Sequence, residues 1–135
     1  MIIINKNHKN MTVYTQSPQN YNNVFKAQSA DGVTDPIMTG SFRNIVVSLK
    51  GYGGANFTVK VKGSDEPTYN LPTTYTYLET KNEESATFYS GNSGVIFTSN
   101  QDIKVEVNTN NVNWIQLELS GYTGGSLDAT VVLSD

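Results

Sequence analysis

Two stretches of the chain repeat each other, and this internal repeat constrains the fold more than any other feature. Ile45–Lys62 aligns without a gap with Ile115–Val132, so that the dipeptide Gly51-Tyr52 matches Gly121-Tyr122. In both copies, apolar residues alternate with polar ones on either side of a glycine-rich centre. Such alternation is typical of β-strands that bury one face. Each copy is therefore predicted to form two antiparallel strands joined by a glycine turn.

The origin of the repeat stays open at the level of sequence. Glycine-turn hairpins resemble one another by chance, because the same alternation and the same turn residues recur in all of them. True pseudo-symmetry and coincidence explain the repeat about equally well, and the other expectations do not depend on which is correct.

The composition favours a single all-β domain. A chain of 135 residues is long enough to bury a substantial core. Only 16% of the residues are charged, and much of the polarity comes from Asn, Thr, Ser and Gln. Together with eleven Gly and eight Tyr, this mixture suits strands and turns and disfavours helices.

Short strands are also predicted between the two copies, separated by turn-forming clusters. They are Tyr75–Glu79, Ala86–Ser90, Val95–Ser99 and Ile103–Val107. About eight short strands without a convincing helix indicate an antiparallel β-sandwich of jelly-roll or immunoglobulin-like type. The predicted core consists of the residues on the apolar face of these strands: Ile45, Val47, Leu49, Phe57, Val59, Val61, Ile103, Val105, Val107, Ile115, Leu117, Leu119, Ala129, Val131 and Leu133.

Residues 1–40 differ from the rest of the chain. Short apolar bursts alternate there with Asn-rich spacers, and no helical period runs through them. We predict an extended N-terminal arm over residues 1–40, with Thr12–Thr15 adding a strand, followed by a sandwich domain over residues 41–135. A flexible tail is the alternative, although such tails are usually poorer in apolar residues. The residues expected to contact a partner are Ile2, Ile3, Ile4, Val13, Tyr14, Val24 and Phe25.

Several classes of function are disfavoured by the residues present. The chain has no cysteine and one histidine (His8), so no cofactor or metal site and no catalytic triad is expected. The net charge of −3, the scattered lysines and the single arginine (Arg43) argue against nucleic-acid binding. The apolar start at Met1–Ile4 is too short for a signal peptide or a membrane span. Adjacent acidic pairs such as Glu83-Glu84 point to opposite sides of an extended chain. We therefore expect a protein that is not an enzyme.

The aromatic residues allow one binding activity. Tyr52 and Tyr122 occupy equivalent positions at the two predicted hairpin tips, where they would be available for contacts with a partner. With Trp114 and other tyrosines they could also line a sugar-binding face. The competing interpretation is that these rings cover the core or fill subunit contacts, where Tyr and Trp are common.

Three segments resemble a small β-sandwich module found in structural proteins of tailed-phage virions. In that module an aromatic residue opens the first strand, as in Phe42–Val47, and a later strand ends in Gly-Ser and an acidic turn, as in Val59–Asp65. Near the end, Trp114–Leu127 is similar to a strand that opens with an aromatic residue and runs into a Gly-Gly turn. The likeness covers roughly the last 95 residues. It departs from the module at Tyr69 and Gln116, where Trp and Arg are frequent.

The resemblance implies a non-enzymatic structural protein of a phage particle, first of all a capsid decoration protein attached through its N-terminal arm. Its partners would be other virion proteins, such as the major capsid protein or tail and fibre proteins, and a homo-oligomer is compatible with the sequence. The protein would be made in the host cytoplasm and reside in the virion. The alternative is a carbohydrate-binding or host-attachment module of a head or tail fibre that uses surface Tyr and Trp residues.

Overall fold

The computed structural model describes residues 3–4, 13–14, 18–40, 42–108 and 112–135. Within these residues the chain forms twelve β-strands and no helix, which confirms the all-β prediction. The strands are β1 (Ile3–Ile4), β2 (Val13–Tyr14), β3 (Gln19–Gln28), β4 (Gly32–Val33), β5 (Ile37–Met38), β6 (Asn44–Ser64), β7 (Thr76–Tyr77), β8 (Thr80–Asn82), β9 (Phe88–Tyr89), β10 (Val95–Phe97), β11 (Gln101–Val107) and β12 (Trp114–Ser134). All strand pairings described are antiparallel.

Two long strands, β6 and β12, pair with each other from end to end and form the central ribbon. Asn44 pairs with Ser134 at one end and Ser64 pairs with Trp114 at the other. The pairing is irregular only between Ser120 and Ser126, at the glycine-rich centre. The two predicted hairpins are therefore wrong, because each copy of the repeat is one continuous strand and its partner is the other copy. Local sequence could not distinguish these arrangements, since glycines with positive φ serve a bulge as well as a turn.

The internal repeat coincides with an approximate two-fold relation at the centre of this ribbon. Gly54 and Gly124 match each other in the alignment. In each regular pair, the β6 residue is as many positions from Gly54 as its β12 partner is from Gly124, in the opposite direction along the chain. Ile45, for example, lies nine residues before Gly54, and its partner Leu133 lies nine residues after Gly124. A rotation that exchanges the two strands thus superposes the aligned positions. This arrangement supports real pseudo-symmetry over coincidence.

The ribbon bends at its centre, and the bend divides the sheet into two layers. Layer one contains β3, residues 126–134 of β12, residues 44–52 of β6, and then β11, β8 and β9. Layer two contains β4 and β5, residues 114–120 of β12, residues 56–64 of β6, and then β7 and β10. Both halves of the ribbon bury their alternate residues in one core cluster. The apolar faces of the two halves therefore pack against each other, and the result is the predicted β-sandwich.

Glycines and one asparagine make the bend possible. Gly53, Gly54 and Gly125 have φ angles of 70°, 83° and 80°, a region that L-residues with side chains rarely adopt. At the bend the backbone N–H groups of Gly54 and Ala55 donate to Oδ1 of Asn100 at 2.9 and 3.0 Å. The asparagine thereby satisfies donors at the point where the ladder is irregular.

The predicted core is largely confirmed. Every residue predicted to be in the core is buried except Ile103, which is half-buried at the margin of the cluster. Among the residues whose burial is described, the pattern missed eight apolar residues of the core, which lie in the supposed arm, in the predicted turns or at strand ends: Phe25, Ile37, Phe42, Ala55, Val95, Phe97, Trp114 and Leu127. The closest aromatic pair, Phe57 and Phe97, has ring centroids 5.0 Å apart.

Much of the segment assigned to the arm belongs to the sandwich. Strand β3 pairs with β12, and Phe25 is only 4% exposed. Strands β4 and β5 also pair with β12. A domain boundary at residue 41 therefore divides the sheet, which already begins at Gln19. Of the remaining arm, Ile3–Ile4 pairs with Val13–Tyr14 as a separate two-stranded sheet, so the strand expected over Thr12–Thr15 has its partner within the arm.

Substitutions at two bend glycines should separate the cost of the backbone angle from the cost of crowding. A Cβ atom on Gly125 would lie 2.6 Å from the backbone of Ala55, whereas a Cβ on Gly54 would meet nothing within 4 Å. We expect Gly54→Ala to cost about 1–2 kcal/mol of the free energy of unfolding, from the positive φ alone. Gly125→Ala should cost at least about 3 kcal/mol, because the backbones must also separate.

Chemical denaturation of the two variants measures both costs, and each variant serves as the control for the other. Equal losses of unfolding free energy in the two variants would contradict the close approach of the strands at Gly125.

Candidate functional site

The outward face of layer one forms the floor of a polar groove of about 670 Å³. The strand register sets its side chains in two rows across β12, β6 and β11. One row is Asp128, Lys50 and Asp102, and the next is Thr130, Ser48 and Lys104. These are the polar positions that alternate with the buried residues of the same strands, so the floor rests directly on the core.

One wall of the groove is the irregular strand β3. Between its pairings with β12 the register shifts twice, and the extra residues bulge out of the ladder. Asn23 and Ala27 lie in these bulges with φ angles of 52° and 47°. Their N–H groups donate to side chains of the floor, Asn23 to Oγ1 of Thr130 at 3.3 Å and Ala27 to Oδ1 of Asp128 at 2.7 Å. The floor therefore holds this wall in place.

The opposite wall is the turn that follows β8. Asn82 stabilises the turn because its Oδ1 accepts hydrogen bonds from the N–H groups of Glu84 and Ser85 at 2.9 and 3.1 Å. The N–H of Glu83 donates to the carbonyl oxygen of Lys104 at 3.0 Å, which ties the turn to the floor. Asn82, Glu83 and Glu84 all line the groove.

The groove carries both signs of charge with an acidic excess. Its lining includes four carboxylates and two ammonium groups, a net charge of −2: Glu83, Glu84, Asp102, Asp128, Lys50 and Lys104. The carboxylate of Asp128 is fixed by Ala27 and also accepts a hydrogen bond from the hydroxyl of Tyr52 at 3.1 Å. Burial and this hydrogen bond to Asp128 raise the pKa of Tyr52 above its ordinary value. This arrangement can bind a polar ligand through many hydrogen bonds.

The two tyrosines expected at hairpin tips lie instead at the bend of the ribbon, and both are half-buried. Tyr122 donates its hydroxyl to the carbonyl oxygen of Gly125 at 2.7 Å, and its ring stacks on Phe57 at a centroid distance of 6.4 Å. Tyr52 is engaged with Asp128. The structure thus gives each tyrosine a contact within the sandwich.

Trp114 is buried and does not belong to an exposed aromatic face. Its Nε1–H donates to the carbonyl oxygen of Pro67 at 3.3 Å. Where the structure describes burial, the most exposed aromatic residues are Tyr69 and Phe88, at 81% and 62% exposure. Neither of them lines the polar groove.

The residues predicted to contact a partner fall into three groups. Phe25 is in the core, and Val24 is half-buried against it. Ile3, Ile4, Val13 and Tyr14 form the separate sheet of β1 and β2. Ile2 lies outside the described residues, as does His8. Among the described residues, these positions are therefore divided between the sandwich and the separate two-stranded sheet.

A second polar cluster lies on the outward face of layer two, and its members are engaged with one another. The carboxylate of Glu118 accepts a hydrogen bond from the hydroxyl of Tyr77 at 3.0 Å and lies 3.3 Å from Nζ of Lys62. Nζ of Lys60 lies 4.9 Å from the ring centroid of Tyr77. The hydrogen bond to Glu118 and burial raise the pKa of Tyr77. These contacts connect β6, β7 and β12, so we assign the cluster a structural role.

Glu66 closes the loop of residues 65–74, to which the indole N–H of Trp114 donates a hydrogen bond at Pro67. Its Oε2 accepts hydrogen bonds from the N–H groups of Thr73 and Thr74 at 2.6 and 2.7 Å. The hydroxyls of both threonines also donate to this carboxylate. The backbone donors of Thr74 and Thr73 lower the pKa of Glu66 from its ordinary value of 4.5 to about 2.

Of the charged residues of the groove, the sequence singles out only the pair Glu83-Glu84, and it predicts the two side chains on opposite sides of an extended chain. That prediction is wrong, because these residues form a turn and both line the groove. Lys50, Lys104 and Asp128 stood out only as the solvent-facing partners in alternating strands. Their juxtaposition depends on the cross-strand register, which no local motif encodes. The alternation of polar with apolar residues along these strands was the one signal that could have pointed to the floor of the groove.

Two negative findings apply to the part of the chain that the structure describes. No group of three or more His, Cys, Asp or Glu side chains is placed there to hold a metal ion. No helix of sufficient length and apolarity to cross a membrane occurs there.

Loss of the Glu66 charge should loosen the loop of residues 65–74, which accepts the hydrogen bond of the Trp114 indole. Because the folded pKa of about 2 lies below the ordinary value of 4.5, the stabilisation by Glu66 is complete above pH 4.5 and is lost as the pH falls toward 2. Glu66→Gln should show the loosened loop already at neutral pH. Trp114 is the only tryptophan, so its fluorescence reports on the loop directly.

The matched control is Glu83→Gln, because Glu83 lies in a different turn on the other layer. If Glu66→Gln and the unsubstituted protein show the same Trp114 fluorescence and the same rate of proteolysis within residues 65–74, the role of Glu66 is contradicted.

Comparison with known proteins gives one informative likeness. No protein-family model matches the chain, and no curated protein matches it at a significant level. The crystal structure of the SPBc2 prophage-derived protein YomS is similar, with a TM-score of 0.68 and 16% sequence identity. The likeness covers 92% of this chain and 100% of that protein. At this identity it establishes a shared fold: the chain has the sandwich fold of a prophage-derived protein, including much of the segment before residue 41.

Proposed function

We propose that this chain is a non-enzymatic structural protein of a phage particle, attached through its N-terminal segment. The observation that carries the proposal is the shared fold with YomS, a prophage-derived protein, over the whole length of that protein. The sequence resemblance to a virion module rests on different observations and adds support for a phage protein of the structural class. A capsid decoration protein is the specific role that we favour, with the virion as its location and other virion proteins as its partners.

The N-terminal segment supports attachment. Strands β1 and β2 pair with each other and belong to a sheet separate from the sandwich. A two-stranded sheet is marginally stable by itself in water and gains stability against another surface. Its four residues, Ile3, Ile4, Val13 and Tyr14, are apolar or aromatic. A neighbouring virion protein would supply such a surface, either by packing or by adding strands to the pair.

The edges of the sandwich also suit a discrete unit of a particle. In layer two the outer strands β4, β5, β7 and β10 have only two or three residues each. In layer one, β9 has two residues and β3 is bulged. Short and bulged edges resist uncontrolled pairing with other chains. Assembly through one dedicated segment is therefore more consistent with this sheet than edge-to-edge association.

Mass spectrometry of purified phage particles, induced from cells that encode this chain, tests the proposal. We expect the chain in the particle fraction in many copies per particle. Its presence in the cell extract together with its absence from particles would overturn the proposal.

Deletion of residues 1–17 should abolish incorporation into particles and leave the sandwich folded. The deletion ends before β3, so Phe25 and the pairing of β3 with β12 are retained. A longer deletion through residue 40 would instead remove three strands and Ile37 from the sandwich. Circular dichroism and thermal unfolding establish folding, and sedimentation with particles measures incorporation.

Ile96→Ser is the matched control, because it removes an exposed apolar residue from the sandwich itself. Incorporation should survive this substitution. If the protein lacking residues 1–17 still sediments with particles, attachment resides elsewhere and this part of the proposal fails.

A further inference from the structure

We infer that the polar groove on layer one is a binding site for an uncharged or amino-bearing oligosaccharide. The inference is independent of the proposed role in the particle. It assigns the site to hydrogen-bonding side chains of the sheet, and not to the tyrosines and Trp114 that the sequence suggested.

The size and shape of the groove fit a ligand of several sugar rings. Its volume of about 670 Å³ is in the range of small-molecule sites. The lining extends from β3 across β12, β6 and β11 to the turn after β8. Five neighbouring strands span about 19 Å at the usual strand spacing. That length exceeds what a single monosaccharide would fill.

The floor offers donors and acceptors that the protein does not use itself. No hydrogen bond or ion pair to another described residue is present for the side chains of Lys50, Asp102 and Lys104. Lys50 lies between Asp128 and Asp102 in one row, so donor and acceptor groups alternate across the sheet. A polyhydroxylated ligand matches this alternation, because each hydroxyl both donates and accepts.

The groove is also pre-organised. Its floor belongs to the central ribbon and β11, and the inward residues beneath it are buried in the core except Ile103, which is half-buried at the core margin. Asp128 is held by Ala27 and Tyr52, and the turn at Glu83 is tied to β11. Binding therefore requires little ordering of the backbone, which lowers its entropic cost.

The charge of the groove restricts the class of sugar. Its net charge of −2 disfavours polyanions such as phosphate-rich or uronate-rich polymers. Neutral sugars satisfy the mixed donors and acceptors, and an amino sugar gains further attraction to Glu83, Glu84 and Asp102. We therefore expect binding of neutral and amino-bearing oligosaccharides, with stronger binding of the amino-bearing class at low salt.

The test is a titration of the isotope-labelled full chain with defined probes, followed by NMR. The probes are cellotetraose, maltotetraose, chitotetraose and its fully deacetylated form, with polyglycerol phosphate as the polyanion. Supporting results are shifts of backbone amides confined to the groove at a probe concentration of about 1 mM, for at least one neutral or amino-bearing probe. The absence of such shifts for all four oligosaccharides, or shifts in the groove with polyglycerol phosphate alone, would overturn the inference.

Variants locate the site. Ser48→Trp fills the floor of the groove and should weaken binding at least about tenfold. Asp102→Asn and Lys50→Met each remove charge-assisted contacts and should weaken binding about fivefold. The matched control is Thr58→Trp, on the outward face of the other half of β6, where binding should be unchanged. Unaltered amide spectra away from the substitution establish folding of each variant. Undiminished binding by folded Ser48→Trp, or an equal loss in Thr58→Trp, would overturn the assignment.

Discussion

The antiparallel pairing of β6 with β12 connects the two layers of the sandwich and fixes the position of the other strands of the main sheet. Each strand has 21 residues, and together they supply the central pair of both layers. The two strands bend together at Gly54 and Gly125. Because of this bend, the apolar faces of the two halves of the ribbon pack against each other in one core. A cysteine-free chain thereby obtains a single core without disulfides. Every other strand of the sandwich is added at the sides of this ribbon.

Departures from regular pairing are compensated by side chains, and this compensation shapes the surface. At the bend, Asn100 accepts from two N–H groups of β6. The side chains of Asp128 and Thr130 in β12 accept hydrogen bonds from the backbone N–H groups of Ala27 and Asn23, the bulged residues of β3. The same two side chains form part of the groove floor. The bulges of β3 protect the edge of layer one from pairing with other chains. The same bulges form one wall of the candidate site.

The two proposals assign different parts of the molecule to different tasks. Attachment to a particle uses the N-terminal segment with β1 and β2, which lies outside the main sheet. Sugar binding uses the outward face of layer one, whose backbone is fixed by the core beneath it. A decoration protein that displays a sugar-binding face on a particle would combine both roles. Each role can be removed separately, because the residues involved do not overlap.

The all-β class, the alternation of the long strands and most of the core could be predicted from local sequence patterns. Period-two burial is a local property, so the alternation alone assigns Ile45, Val131 and their neighbours correctly to the core. Which strands pair could be learned only from the folded molecule, because a glycine with positive φ serves a bulge or a turn equally well. That choice converted two predicted hairpins into one ribbon and placed Phe25 in the core. It also brought Lys50, Asp102 and Asp128 into one row, since register between distant strands is fixed by the packing of the whole sheet.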